Sequence, residues 1–180
     1  LAGHFVKNFT SRYSIDDQHR VSCDGSVGTT TSFLPNTTFP FRWYKVDGDF
    51  DITSMHLTSL EGSPEIVEGQ FLAMRNDITS LVGGPREVWL EYNIAGCRQL
   101  ASLEGVPDRI WYANSTFHMT WLRDCGLLRL LMIKGLNKVL LNGAPEVTAI
   151  INKWLPQGKA GLSGCATELI KAGFRGNARL

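Results

Sequence analysis

The chain has 180 residues, 43% of them apolar, and 18 Lys and Arg against 17 Asp and Glu for a formal charge of +1. That length supports one domain around a buried core, and the balanced charge speaks against general binding to nucleic acid or to an anionic membrane surface, which calls for an excess of cations. The most apolar stretch, Gly126 to Leu141, is cut by Arg129, Lys134 and Lys138; it therefore reads as core, because a membrane span needs about 18 uninterrupted apolar residues.

From the N-terminus, "HFVKNFTSRYSI" (residues 4–15) is predicted to form a short helix with Phe5, Phe9 and Tyr13 along one side. The opening "LAGHFVKNFTSRY" lacks the long apolar centre of a signal peptide, and a chain that opens on Leu1 rather than Met leaves room for residues upstream. "RVSCDGSV" follows as a strand with alternating Val21 and Cys23 and a turn at Gly25, and "FLPNTTFPFRWYKV" leads on to a periodic region. Residues 1–45 thus read as an N-terminal cap of a short helix plus a strand.

The periodic region repeats a sentence. Leu57, Leu60 and Pro64 recur as Ile78, Leu81 and Pro85, then as Leu100, Leu103 and Pro107, at spacings of 21 and 22 residues, inside the range of leucine-rich repeats. Upstream of each block, Val46, Phe50 and Ile52 recur as Val67, Phe71 and Ala73, then as Val88, Tyr92 and Ile94. Side chains two apart in a strand share a face, so Phe71 and Ala73 are expected to point inward while Gln70, Leu72 and Met74 point out. Asn76, and Cys97 one coil later, sit at the bend where an inward side chain can satisfy backbone groups. Gly62, Gly83, Gly84 and Gly105 mark the turns. One such coil cannot bury its own inner face, so each copy covers the one before it.

Between Ile110 and Glu146 the period decays, and two irregular coils are expected, with "LLNGAPEV" echoing the Leu-x-Gly-x-Pro-x-x-Val signature. Val147, Ile150, Ile151 and Trp154 have helical spacing, as do Leu162, Cys165, Ala166, Leu169 and Ile170. The expected organisation is a solenoid over 46–145, with three clear coils over 46–109 and degenerate coils over 110–145, closed by a C-terminal helical cap over 146–180. The fold class is α/β, mostly β: a short leucine-rich-repeat solenoid with a parallel β-sheet on one face and helical caps at both termini.

Nothing in the sequence groups residues for catalysis. Cys23, Cys97, Cys125 and Cys165 lie far apart, without the paired spacing of zinc sites or redox dithiols, and read as buried reduced thiols. His4, His19, His56 and His118 are scattered. Asp47, Asp49 and Asp51 cluster at one strand start, but the twelve-residue loop of a calcium site with its terminal Glu is lacking. "GLSGCATE" places Cys165 near a helix start, and its helical spacing with Leu169 reads as a buried cap thiol. No metal, no cofactor and no enzymatic activity are expected.

The segment "LTSLEGSPEIVEGQF" resembles the Leu-Thr-Ser-Leu-Glu-Gly-x-Pro-x-x-Val-x-Gly-x-Phe repeats of leucine-rich-repeat proteins encoded in large tailed-phage and some bacterial genomes, and "YSIDDQHRVSCDGSV" and "ELIKAGFRGNARL" are similar to their flanks. The likeness is strongest from Val46 to Pro107. It implies a solenoid and a phage origin, with no shared catalytic residues. The expected function is a small phage-encoded binding module that recognises a host or phage protein, for example to block a defence or transcription machine in the cytoplasm of the infected bacterium. The alternative is a structural or accessory component of the virion, held by neighbouring subunits.

The exposed sheet face is expected to carry Asp49, Asp51 and Thr53 from one coil, Gln70, Leu72 and Met74 from the next, Glu91, Asn93 and Ala95 from the third, and Ala113 and Ser115 beyond. Trp89, Trp111 and Trp121 lie near coil edges, and Trp is enriched at interface hot spots. The partner-binding candidates are Gln70, Leu72, Met74, Glu91, Asn93, Trp89 and Trp111. Six strands about 4.8 Å apart, each showing about 16 Å of length, give a face near 400 Å². A stable complex buries about 800 Å² per side, so loops or coil edges are expected to contribute.

Overall fold

The computed structural model describes residues 12–28, 39 and 41–180. The chain winds as a mostly β solenoid whose strands form two six-stranded sheets rather than one. In chain order the strands are β1 (Arg12–Ile15), β2 (Arg20–Asp24), β3 (Val27–Gly28), β4 (Arg42–Val46), β5 (Phe50–Asp51), β6 (Ile66–Val67), β7 (Phe71–Leu72), β8 (Glu87–Val88), β9 (Glu91–Ile94), β10 (Arg109–Ile110), β11 (Thr116–Thr120) and β12 (Lys138–Asn142). The first sheet runs β1-β2-β4-β6-β8-β10 and the second β12-β11-β9-β7-β5-β3. Every pairing is parallel except that of β1 with β2.

The second sheet holds the alternation read from the sequence. Phe50, Phe71, Tyr92 and Phe117 stand in register, with ring centroids 6.1, 4.8 and 5.2 Å apart up the stack. The first sheet is the departure from a one-sheet solenoid. Val46, Val67, Val88 and Ile110 form a rung in it, and all four are fully buried. Extended dipeptides stacked one coil apart pair their N–H and C=O groups with each other, and buried backbone cannot leave those groups unpaired. The third side is built by Leu57, Ile78 and Leu100 with Leu60, Leu81 and Leu103, all buried. There the Asp77 N–H donates to the Leu57 carbonyl at 2.8 Å and the Ala101 N–H to that of Thr79 at 2.9 Å. Fully burying an apolar side chain of this size contributes about 1.5–3 kcal/mol, so three stacked rows make the coils mutually dependent.

The aromatic stack contains one misfit. The Tyr92 hydroxyl is fully buried without a hydrogen-bond partner among the described residues, and burial raises the phenol above its ordinary pKa. A buried polar group left unpaired costs about 1–3 kcal/mol. Tyr92→Phe, which completes an all-Phe column, is therefore expected to raise stability by about 1 kcal/mol in urea unfolding. A loss of stability would show that the hydroxyl has a partner after all.

At the N-terminal end the expected helix gives way to a strand. Arg12–Ile15 form β1, antiparallel to β2 with Tyr13 opposite Cys23. An isolated helix of about twelve residues is marginal in water, whereas the edge of β2 offers a ready ladder for the backbone of Arg12–Ile15. Phe5 and Phe9, the rest of that helical reading, lie outside the described residues. "RVSCDGSV" supplies β2 and β3.

Past Ile110 the two sheets part company. The second continues through β11 and β12, while the first ends in one bridge, where the Ile110 N–H donates to the Lys134 carbonyl at 2.8 Å. The apolar stretch between them folds around a 3-10 turn, Leu128–Met132, and buries Leu127, Leu128, Leu130, Leu131, Ile133 and Leu136. Two helices, α1 (Pro145–Trp154) and α2 (Leu162–Lys171), close this end. Val147, Ile150 and Ile151 of α1 and Cys165 and Leu169 of α2 are buried, but Ile170, expected among the packed residues, is 45% exposed. The outer edge of β12 is covered by side chains that imitate a strand. The Asn152 amide accepts from the Val139 N–H at 2.7 Å and donates to the Val139 carbonyl at 2.8 Å, and Thr148 Oγ1 accepts from the Leu141 N–H at 3.3 Å while donating to the Ala144 carbonyl at 2.7 Å. Covering an edge in this way removes a template for unwanted strand pairing.

Candidate functional site

Outward positions of the second sheet fall into three rows set by register: Glu91, Thr116 and Lys138 in the first, Asp51, Leu72, Asn93, His118 and Leu140 in the second, and Thr120 beside Asn142 in the third. Leu72, Met74, Gln70 and Glu91 are half-buried. Asn93 faces outward between inward Tyr92 and Ile94, yet it is only 7% exposed. Its amide nitrogen donates to Glu91 Oε1 at 2.7 Å, and its oxygen accepts from the Ala95 N–H at 3.0 Å. His118 joins the same surface, its Nε2 3.1 Å from Asn142 Oδ1. This face is therefore internally tied and modest in accessible side chain. Ser115, expected on it, is instead fully buried; its hydroxyl donates to the Gly135 carbonyl and accepts from the Asn137 N–H. The decayed period displaced the inside-outside assignment there.

The more accessible feature is the corner where the chain passes from the first sheet to the second. Trp89 and Leu90 lie between β8 and β9, and Trp111 and Tyr112 occupy the same place one coil on. Their N–H groups bond the coil beneath: Trp111 to Val88 at 3.1 Å and Tyr112 to Trp89 at 3.0 Å. Trp111 and Tyr112 are each 49% exposed and Leu90 is 39% exposed. The half-buried Trp89 ring packs 5.9 Å from that of Tyr112. The Trp111 ring is held in place from two directions. Its indole N–H donates to Glu87 Oε2 at 2.9 Å, and the Arg109 guanidinium lies 4.2 Å from the ring centroid.

Of the seven candidates, the structure thus gathers Trp89 and Trp111 at this corner, and it places Gln70 and Glu91 at the neighbouring starts of the second-sheet strands. Tyr112 and Leu90 were not singled out from the sequence. Their signal was available only after the second row of Val residues was recognised as a sheet, since that assignment turns the residues after it into a corner. Trp121 sits elsewhere, its indole N–H donating to Asn177 Oδ1 at 3.2 Å and its ring edge-on to Phe174.

The remaining candidates carry structural roles. Asp49 accepts from the Gln70 N–H at 2.8 Å, just before β7, and Asp51 from the Thr53 N–H at 2.9 Å, just past the end of β5, so both carboxylates hold backbone groups at strand ends. Among the described residues no group of three or more His, Cys, Asp or Glu could hold a metal ion. All four thiols are buried. Burial pushes Cys125 and Cys165 up to about 11 and also raises Cys97, which opposes the thiolate form that nucleophiles require. No helix among the described residues is long and apolar enough to cross a membrane. Comparison with family models, curated proteins and solved structures gives no match.

Proposed function

We propose that the chain is a binding module of the phage leucine-rich-repeat type that recognises a host or phage protein through the aromatic corner, with the second-sheet face as a flank. Its place of action is then the cytoplasm of an infected bacterium, where docking on a defence or transcription machine blocks it. One observation carries this reading: Trp111, Tyr112 and Leu90 are exposed together, and Trp111 is pre-oriented by Glu87 and Arg109. Interfaces concentrate their energy in Trp, Tyr and Arg anchors, and an anchor already held in one rotamer loses less freedom on binding. The size of the sheet face supports the same choice, since it needs a coil edge to reach an ordinary interface.

The test is affinity capture from infected cells, followed by titration of the purified partner against variants. Trp111→Ala and Tyr112→Ala are each expected to weaken binding at least about thirtyfold, corresponding to about 2 kcal/mol or more, while the unfolding midpoint stays in place. Losses confined to Gln70, Leu72 and Met74 would move the site to the sheet face and sink the corner.

A second reading, a structural or accessory part of the virion, draws on the other end of the solenoid. The outer edge of β1 pairs with no strand among the described residues, and Ile15 on it is 70% exposed. Mass spectrometry of purified particles separates the two, because a structural part is present stoichiometrically and a takeover factor is not.

A further inference from the structure

The two ends of the solenoid are finished differently. At the C-terminal end, Asn152 and Thr148 close the edge of β12, and α1 and α2 lie beyond it. At the N-terminal end, the buried rows of the first sheet run out into solvent. Val46 is fully buried and Cys23 beside it is 1% exposed, but Tyr13, next in that row, is 41% exposed. In the adjacent row, Trp43 is buried, Val21 is half-buried and Ile15 is 70% exposed. Terminal coils of a repeat array need a cover. Among the described residues, no strand pairs with the outer edge of β1.

The backbone there is phased to take one. The Asp16 N–H donates to the Arg20 carbonyl at 3.1 Å, which marks Asp16 and Arg20 as a hydrogen-bonded pair of the β1–β2 hairpin. Antiparallel ladders alternate, so Ser14 and Arg12 also turn their backbone groups toward β2, whereas Tyr13 and Ile15 turn theirs to the open edge. The residues with outward backbone groups are thus the ones whose side chains stand uncovered.

We propose that the occupant is β1 of a second copy of this chain, paired antiparallel about a two-fold axis through Ser14. This register uses both outward residues: Tyr13 faces Ile15 of the other copy, Ser14 faces its own counterpart, and Arg12 faces the acidic turn at Asp16 and Asp17. An aromatic residue against a β-branched one is a favourable cross-strand pair, and the small Ser14 lies where like meets like. Arg12 and Asp17 have no ion pair among the described residues, so the pairing brings together opposite charges that the single chain leaves apart. A two-fold contact makes each of these interactions twice. A different protein would have to supply a matching strand, and this chain already carries one.

The experiment is sedimentation velocity of the full chain from about 5 to 500 µM. A four-residue strand buries less than the roughly 1,000 Å² of a tight interface, so a monomer–dimer equilibrium with a Kd of about 10–300 µM is expected. Ile15→Pro removes an outward N–H that β2 does not use, and weakens the dimer at least about tenfold while the unfolding midpoint of the dilute monomer stays in place. Arg12→Glu sets like charges opposite each other and weakens it about three- to tenfold. Ser14→Cys reports the register. Facing residues of a non-hydrogen-bonded pair have Cα atoms about 4.5 Å apart, inside the disulfide range, so mild oxidation gives a covalent dimer, the four native thiols being buried. Ala101→Cys, exposed on a distant coil, cross-links more slowly. Trp111→Ala leaves the equilibrium unchanged, so this contact and the aromatic corner fail separately. A monomer at every concentration, which leaves the edge to the chain's own residues or to a different protein, overturns the proposal. So does a dimer indifferent to both Ile15→Pro and Arg12→Glu, or a Ser14→Cys variant that cross-links no faster than Ala101→Cys.

Discussion

Asn76→Ala is expected to lower stability by about 3–5 kcal/mol in urea unfolding, among the largest losses any single side chain in this solenoid can produce. The residue is 2% exposed and spends its whole amide on backbone. Its Oδ1 accepts from the N–H groups of Met55 and Leu57 at 3.1 and 3.0 Å, and its Nδ2 donates to the carbonyls of Ile52 and Ala73 at 2.9 and 3.0 Å. One side chain therefore closes the bend of its own coil and that of the coil before it. Alanine would strand two donors and two acceptors in a buried place, each at a cost of about 1–3 kcal/mol before relaxation. Asn76→Asp, which sets a carboxylate oxygen against the two carbonyls that the amide now serves, is expected to cost at least as much. Cys97 fills the same position one coil later with weaker sulfur contacts, Sγ to the Ala73 carbonyl at 3.2 Å and the backbone N–H groups of Asn76 and Arg75 to the sulfur, so Cys97→Ala is the milder control. A loss below about 1 kcal/mol for Asn76→Ala would show that the bends are held by something else.

The second large effect concerns how closely the coils approach. Gly105→Ala is expected to cost about 3–5 kcal/mol, compared with about 1–2 kcal/mol for Gly143→Ala. Both glycines have positive φ, +88° and +91°, so each substitution incurs the same left-handed backbone strain. Their surroundings differ. A Cβ on Gly105 would overlap the Leu81 carbonyl carbon and oxygen of the neighbouring coil, whereas one on Gly143 meets nothing within 4 Å. Beside that contact, the Leu81 N–H donates to the Glu104 carbonyl at 2.9 Å, so the added methyl pushes on a bond that joins the coils. Thermal or urea unfolding of the pair isolates the steric part. Equal losses would mean that adjacent coils separate freely at this turn, against the view that the stack is one cooperative unit.

Much of this solenoid was legible without coordinates, because its information is local. Phe50, Phe71 and Tyr92 recur at a fixed step, and a period of two within each strand sends them all inward. Asn76 could be singled out because a polar side chain at a bend between apolar runs has few other uses. The first sheet was harder to see. Val67 and Val88 each sit in a paired segment of only two residues, too short to show alternation, and each becomes a strand only because the same segment one coil away presents its backbone.

The N-terminal strand failed to show for a related reason. Tyr13 fits a helical stripe as readily as a strand, and the edge of β2, where it stands opposite Cys23, made the choice. Ser115 and Ile170 were misplaced where the period had decayed and a single helical turn offered two neighbouring apolar faces.

The sequence by itself determined the repeat, its length, the inward rows and the need for one coil to cover another, since side-chain periodicity and hydrophobic burial act over a few residues. Only the tertiary structure decided the second sheet, the strand in place of a terminal helix, and the corner that gathers Trp89, Leu90, Trp111 and Tyr112. Each of those depends on which backbone groups meet across a full coil, and hydrogen bonds between segments about twenty residues apart leave no local pattern to read.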